Sequence, residues 1–575
     1  MKRLIYFALL GVITLSAPGC SDFLDTIPDN RTEIDEISKV SKLLANAYPR
    51  KTYAGILEAR CDGMVDFGTT LSGSQQNESY EYMRAGFYLM PQVQAESDDS
   101  YERFWEDCYR AVSYANFALE ALDEYGEEWD AAEAKLLRAE AKVCRAYAHF
   151  MLVCMYTNMF QYNRQAANPG IPYVEEPEEQ VFKKYDRETV AVTLNKVKED
   201  LFSELDNLGG PSAYSVPHFR FIRNAALAFA VRYCLFTKDY QGVINYANML
   251  IPTAASHQVL TGSNNQNFDG TQKQYVTEND LAFQWCKTKM LSWTAYSSSG
   301  TNLYQPGIFF SNPANSSFLL SSEVESIVMR TFLGTYMASY AYSMETVSDM
   351  ATANISGSRW ALQPLQLSGD NTAFWIKYYE DMLLVNEAAG IGYVYVKTNL
   401  FRLEEVLLAR AEAKAMLGVM VDNSYFDGAI DDLNMYMNTK IYNYNYSNHR
   451  LDRSRIRDYY LTQTGNAESF VNNEFNQSVF DGYGTFETTM LKSLLLCIMD
   501  FRRVEFAFEG MRYFDILRWN IPVTHTRMRD NMSRTMYPDD DTRILQIPES
   551  TILSGLQPNP MKNIREPWPG VIYEY

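Results

Sequence analysis

The stretch FRRVEFAFEGMRYFDILRW, residues 501–519, decides how the whole chain is read. On one continuous helix Arg502, Glu505, Glu509 and Arg512 share a stripe, beside a second stripe of Phe501, Val504, Phe508 and Met511, because positions three and four apart lie above one another. Four charges of balanced sign along an apolar face make either an active site or a structural ion lattice. Glu505 and Glu509 are the best candidates for paired catalytic carboxylates. Glycoside hydrolysis, however, needs two carboxyls flanking the scissile bond, and adjacent turns of one helix hold both on the same side of a substrate. Arg502 and Arg512, three residues to either side, would also keep both ionised and so spoil a general acid. A lattice is the expectation.

Outward from this stretch the chain reads as mainly α. Tyr101, Phe104, Trp105, Cys108, Val112, Ala115, Leu119 and Leu122 recur at helical spacing, as do Leu137, Ala141, Cys144, Ala148, Leu152, Met155 and Met159. These are two long amphipathic helices joined by DEYGEEWD. The segments 38–48, 187–206, 222–237, 240–250, 402–418, 426–438 and 489–517 read as helical too. An internal echo organises them. FAVRYCLFTKDYQGVINYAN (229–248) and LLARAEAKAMLG with YFDGAIDDLN (407–434) each give a helix, a short turn, then an aromatic and a glycine opening a second helix. Small residues in the first helix let the second approach closely, as in tetratricopeptide-type pairs. Two echoes 186 residues apart are helical hairpins interrupted by insertions, not a regular solenoid. The insertions, 254–320 and 352–400, are rich in Ser, Asn, Gly, Gln and aromatics. Loops that long in a compact domain are functional or disordered, and the aromatic content argues for function.

The formal charge of -20, without a Lys/Arg cluster beyond the first three residues, sets nucleic acid aside and leaves neutral sugars and peptides as ligands. Forty-one tyrosines supply rings with an apolar face and a hydroxyl. At the N-terminus Lys2 and Arg3 precede an apolar run from Leu4 to Ser16, too short to span a bilayer, which ends in APGC at Cys20. This resembles a bacterial lipoprotein signal, in which Cys20 would be acylated and become the first mature residue. No other stretch approaches 18 uninterrupted apolar residues. Of the remaining cysteines, Cys108, Cys144, Cys154, Cys234 and Cys497 fall within apolar helical patterns, and Cys61 and Cys286 form no CxxC, so neither a disulfide framework nor a metal site is expected. The five histidines make no HExxH, and no GxSxG elbow, P-loop or GxGxxG fingerprint is present. No cofactor is expected. Asp539, Asp540 and Asp541 lack the ligand spacing of an EF-hand and read as a solvated turn.

FRRVEFAFEGMRYFDILRWN resembles the C-terminal helix of the SusD/RagB family of outer-membrane nutrient-binding lipoproteins, from Arg502 through Glu505, Phe508, Glu509, Gly510, Arg512 and Asp515 to Arg518 and Trp519. CSDFLDTIP (20–28), WEDCYRAVSYAN (105–116), LLRAEAKVCRAYAHFMLVCMYTNM (136–159), FRLEEVLLARAEAKAMLG (401–418) and RILQIPES (543–550) follow the family in order along most of the chain. Met511, where a polar residue is frequent, and the tail LQPNPMKNIREPWPG depart from the pattern. The resemblance implies a signal peptide over 1–19 and one SusD-like domain over 20–575. Its tetratricopeptide-like scaffold would occupy about 38–250 and 401–520, with irregular insertions at about 254–400 and 440–488 carrying the ligand site.

It further implies a non-catalytic, lipid-anchored protein of the cell outer membrane that captures a nutrient, usually a glycan, for a partner TonB-dependent (SusC-like) transporter. The family's ligand residues lie outside its shared motifs, so none is carried over. From the chemistry of sugars, whose C–H faces stack on flat rings, Trp285, Trp293, Tyr296, Tyr304, Trp360 and Trp375 are the candidates, two or three of them forming a platform and the others packing in the core. Arg84 and Asp66, before the first long helix, are further candidates. A peptide-capturing relative on the same scaffold is the alternative, which would need backbone-pairing edges. A divergent glycoside hydrolase is a remote one.

Overall fold

The structure, a computed structural model, describes residues 34–67, 78–91, 97–178, 183–293, 316–326, 340–343, parts of 346–378, 380–462 and 484–573. The N-terminal part holds α1 (Ile37–Leu44), α2 (Ala54–Ala59), β1 (Met64–Asp66), α3 (Glu78–Tyr88), α4 (Tyr101–Tyr125), α5 (Ala131–Tyr156), α6 (Val190–Ser203), α7 (Arg223–Phe236) and α8 (Tyr240–Leu250). Then come β2 (His257–Val259), β3 (Gln274–Val276), α9 (Leu281–Lys289), β4 (Phe318–Val324), β5 (Tyr340–Tyr342), β6 (Leu365–Gln366), β7 (Ala373–Phe374), β8 (Glu380–Asn386) and β9 (Ile391–Arg402). The C-terminal part comprises α10 (Leu403–Met420), α11 (Tyr425–Lys440), α12 (Tyr446–His449), α13 (Arg453–Arg457), α14 (Thr485–Glu505), α15 (Met511–Arg518), β10 (Val523–Arg527), β11 (Met532–Met536) and α16 (Glu549–Leu553).

The fold is mainly α, and its two longest helices begin where polar side chains cap them. Ser100 accepts from the Arg103 amide at the start of α4, and Asp130 accepts from the Ala132 and Glu133 amides at the start of α5. These two helices form an antiparallel hairpin, and α6 packs on α5. The echoed segments are the helix pairs α7/α8 and α10/α11. A Cβ on Gly418 would overlap the Phe426 ring, so the close approach of α10 and α11 depends on that glycine. Arg410 of α10 ties the pairs together, donating to Asp432 of α11 at 2.7 and 3.0 Å and to Asn248 of α8 at 2.9 Å. All seven cysteines after Cys20 are buried thiols among the apolar side chains.

The decisive stretch differs from the single helix expected of it. α14 ends at Glu505, and the backbone turns through Phe508 (φ 66°) and Gly510 (φ 72°) before α15 begins. Glu58 of α2 holds the turn, accepting from the Phe508 and Gly510 amides at 2.8 Å each. α2 lies so close that a Cβ on Gly510 would sit 3.1 Å from the Ala54 Cα. The buried carboxylate of Glu58 thus replaces the helical hydrogen bonds that the sequence pattern implied, and a left-handed glycine fits the contact.

The break redirects the charges. Arg502 pairs with Asp515 at 2.8 Å, and Arg512 donates to Asp62 at 3.0 and 2.8 Å. Glu505 receives Arg402 and the Tyr436 hydroxyl, with Lys440 at 3.4 Å, while Glu509 receives Lys377 and Arg402 at 2.9 Å each. The stripe is a lattice, but its partners lie on other elements. Burial raises the Glu505 carboxyl, and Lys440, Arg402, Lys377 and Tyr436 outweigh it, holding the group below its ordinary range. Asp515, between Arg502 and Arg518, is lowered against burial in the same way.

The insertions carry more sheet than their polar composition suggested. β4, β9 and β8 form a three-stranded antiparallel sheet in that order, and β5 joins β11, β10 and β1, which lie outside the insertions, in a four-stranded one in which β1 pairs with β10 in parallel. The alternation in IGYVYVKTNLFR of β9 is the period-two signal; the first half of the strand is exposed on both faces, which dilutes its apolar pattern.

Candidate ligand-binding site

The residues singled out from sequence part company. Trp293 and Trp360 are brought together, ring centroids 6.0 Å apart and edge to face, but as core: they are 2% and 1% exposed. Trp360 also packs edge-on against Phe501 at 5.2 Å, and the Lys440 ammonium lies 5.0 Å from the Trp293 ring. Neither can offer a face to a sugar. Their surroundings in the sequence are polar, yet the chain folds them inward against α11 and α14, where large rings bury the most area. Trp285 is half-buried on α9. Arg84 is exposed on α3 and paired with Glu81 at 3.0 Å. Asp66, at the end of β1, is buried and accepts from the Tyr88 hydroxyl at 2.5 Å, so it is engaged in structure. Tyr296, Tyr304, Trp375 and Cys20 lie outside the described residues.

What the buried tryptophans support is a surface built mainly by other residues. The segment around Arg359 runs beside the end of α11: Ala361 donates its amide to the Lys440 carbonyl at 2.7 Å, Tyr442 donates to the Arg359 carbonyl at 3.0 Å, and Trp293 donates to the Thr439 carbonyl at 2.9 Å. Beyond this ladder the chain reads IYNYNYSNHR (441–450), with tyrosines at 442, 444 and 446. Asn445 caps the short α12, accepting from the Asn448 amide at 3.1 Å, and the Asn434 side chain holds both polar groups of Leu451. Arg455 fastens the turn from below, donating to the carbonyls of Ile355, Asn448 and Arg450 at 3.0, 2.8 and 3.1 Å.

The result is an aromatic and guanidinium surface held by backbone hydrogen bonds. Arg359 lies 4.5 Å from the half-buried Tyr442 ring, and Arg450 lies 4.0 Å from the half-buried Tyr275 ring of β3. Tyr275 donates its hydroxyl to Gln258 at 2.5 Å and neighbours Tyr446, whose ring packs edge-on against Phe283 of α9. The hydroxyls of Tyr444 and Tyr446 are buried without a hydrogen-bond partner among the described residues. Tyrosine rings and planar donors of this kind suit half-polar ligands with apolar faces. The regular YNYNY spacing is the legible sequence signal for this surface.

A concavity of about 440 Å³ lies between α4, the residues of 172–178 and 183–185, and the C-terminal residues Ser550 to Leu556. Tyr109 and Tyr185 line it, with Tyr109 donating to the Pro172 carbonyl at 2.8 Å and Tyr185 to Glu178 at 2.5 Å. Among the described residues no group of three or more His, Cys, Asp or Glu side chains is placed to hold a metal, and no helix is long and apolar enough to cross a membrane.

Two family models match the sequence: one described as starch-binding associating with outer membrane, over residues 22–235, and the SusD family model, over residues 330–551. No curated protein matches the sequence. Solved structures do. A SusD superfamily protein from Bacteroides vulgatus is 16% identical, with a TM-score of 0.56 over 91% of this chain and 98% of that one. One from Bacteroides thetaiotaomicron is also 16% identical, with a TM-score of 0.55 over 91% and 99%. A laminarin binding SusD-like protein is 15% identical, with a TM-score of 0.52 over 91% and 99%. At these identities the likeness is one of fold.

Proposed function

The chain belongs to the SusD/RagB family, and from that premise we propose that it captures a neutral oligo- or polysaccharide at the cell surface and hands it to a partner TonB-dependent, SusC-like outer-membrane transporter. The observation that carries this reading is the pair of family matches spanning both halves of the helical scaffold. The name of the laminarin binding relative and the description of the starch-binding model add support. So does the charge of -20, which opposes dense polyanions at long range and leaves neutral chains indifferent. Lipidation at Cys20 would hold the protein to the membrane, multiple acyl chains giving lasting attachment where one does not.

The binding step needs no covalent chemistry. Sugars would lie against the guanidinium–tyrosine pairs Arg450–Tyr275 and Arg359–Tyr442, with hydroxyls meeting the arginine and asparagine donors. The lattice keeps Glu505 and Asp515 ionised, which suits a scaffold and not a general acid. The test is retention of the soluble form, from Ser21 onward, on immobilised neutral plant, host and fungal glycans beside unstructured peptides, with reducing ends assayed in parallel. Selective glycan retention without cleavage is expected. Peptide retention alone would move the function to the peptide-capturing alternative, for which the edge strand β8, with Leu383 and Val385 61% and 65% exposed, supplies a pairing edge. New reducing ends would revive the hydrolase. Cys20→Ala is expected to release the full chain from the membrane fraction, and retention there would end the lipoprotein claim.

A further inference from the structure

Arg450 differs from the arginines around it. Three residues on, Arg453 donates to both oxygens of Asp427 at 2.8 and 2.7 Å and to Asp269 at 2.9 Å. Arg410 and Arg518 are likewise forked onto carboxylates. Arg450 stacks 4.0 Å from the Tyr275 ring, and Arg359 stacks 4.5 Å from Tyr442, yet no hydrogen bond or ion pair engages either guanidinium among the described residues. Acid is not scarce: the chain holds 71 Asp and Glu against 51 Lys and Arg, and Glu278 lies near enough to act on the Tyr444 and Tyr446 hydroxyls without pairing with Arg450.

A stacked guanidinium is already oriented. Its ring backing restricts the side chain, and its remaining N–H groups form a planar fork that matches an oxyanion two bonds at a time. Leaving such a fork without a carboxylate among the described residues, in so acidic a chain, keeps it open for an anion from outside. The Tyr446 hydroxyl nearby, in a residue 8% exposed, is a further polar group without a partner.

The geometry points to Arg450, backed by Tyr275, as a reader of an oxyanion substituent, so that the captured glycan is a mostly neutral chain bearing isolated carboxylate or sulfate groups. This rests on the capture reading and refines its substrate class. The charge of -20 discriminates against dense polyanions, and a single local arginine then selects among sparsely charged chains.

The experiment is ligand-observed magnetic resonance with the soluble chain and three probes that do not presume a backbone: methyl glucuronide, methyl glucoside and inorganic sulfate. Methyl glucuronide is expected to bind roughly tenfold more tightly than methyl glucoside, the effect of one charge-assisted hydrogen bond, with the difference shrinking as salt is added. Arg450→Gln should abolish the preference and Arg450→Lys retain only part of it, thermal unfolding being unchanged in both. Sulfate displacing methyl glucuronide would assign the site to oxyanions in general, and failure to displace it to carboxylates. An equal affinity for glucuronide and glucoside, or a preference that survives Arg450→Gln, overturns the inference. If neutral glycans are retained on the panel in that case, the capture reading stands alone; if the glucuronide preference holds while no glycan is retained, the oxyanion site stands and the capture reading falls.

Discussion

The buried lattice around α14 and α15 and the exposed surface around Tyr275 and Tyr442 use the same residue types to opposite ends. In the lattice Arg402, Arg502, Arg512 and Arg518 each meet carboxylates in places where the side chains are almost fully buried. At the surface Arg359 and Arg450 meet rings and, among the described residues, no carboxylate. The aromatics divide in the same way, Trp293 and Trp360 being fully buried and Tyr275 and Tyr442 half-buried. Paired charge marks what holds the fold together, because a buried ion without its partner is costly. Unpaired, oriented charge marks what awaits a ligand.

The contrast can be broken most forcefully at Arg402. Arg402→Met leaves Glu505 with Lys440 and the Tyr436 hydroxyl and Glu509 with Lys377, and is expected to cost about 3–5 kcal/mol in denaturant unfolding, as for other broken buried pairs. A loss under about 1 kcal/mol would mean that the lattice is not what stabilises the fold. Acid gives the next effect. Burial holds His149 down at about 3 and His525 at about 4, below the ordinary 6.5. As pH falls below about 6.5 the unfolded chain therefore takes up protons that the folded chain refuses at these two sites, which costs about 2 kcal/mol per histidine by pH 5, opposed in part by Glu102, which burial raises to about 7 and which is protonated first in the folded state. Binding through Arg450 should not change over that interval, because guanidinium does not titrate there. Equal sensitivity of stability and binding would erase the distinction.

Gly510→Ala is smaller, about 1–2 kcal/mol for a side chain forced into the left-handed region, read as a lowered Tm. Smallest in stability are Tyr275→Ala and Tyr442→Ala. Each should weaken glycan binding by about 0.5–1 kcal/mol for the lost ring that orients its arginine, while leaving the far-UV spectrum unchanged. Binding undiminished in the double variant would remove this surface from the ligand site.

Much of the scaffold was legible because helices announce themselves locally. The periodicity of α4 and α5, the paired echo of α7/α8 and α10/α11 and the cysteines on their apolar faces follow from spacing alone. The site was less so. A tryptophan in polar sequence reads alike whether it ends in the core, as Trp360 does, or at the surface, since burial is set by what folds over it. Tyr275 and Arg450 are 175 residues apart, and nothing local to either predicts that one will lie over the other.

By itself the sequence determined the helical class, the hairpin repeat, the ion lattice and the family, all of which depend on residue type at fixed short spacing. Tertiary structure alone decided that the 501–519 stretch breaks at Gly510, because the carboxylate of Glu58 arrives from 450 residues away to hold the turn amides. It also decided which charges pair: the four of the stripe turn away from one another to Asp62, Asp515, Arg402, Lys377 and Lys440. Periodicity places side chains on a face, but only the elements packed against that face supply the partners that burial requires.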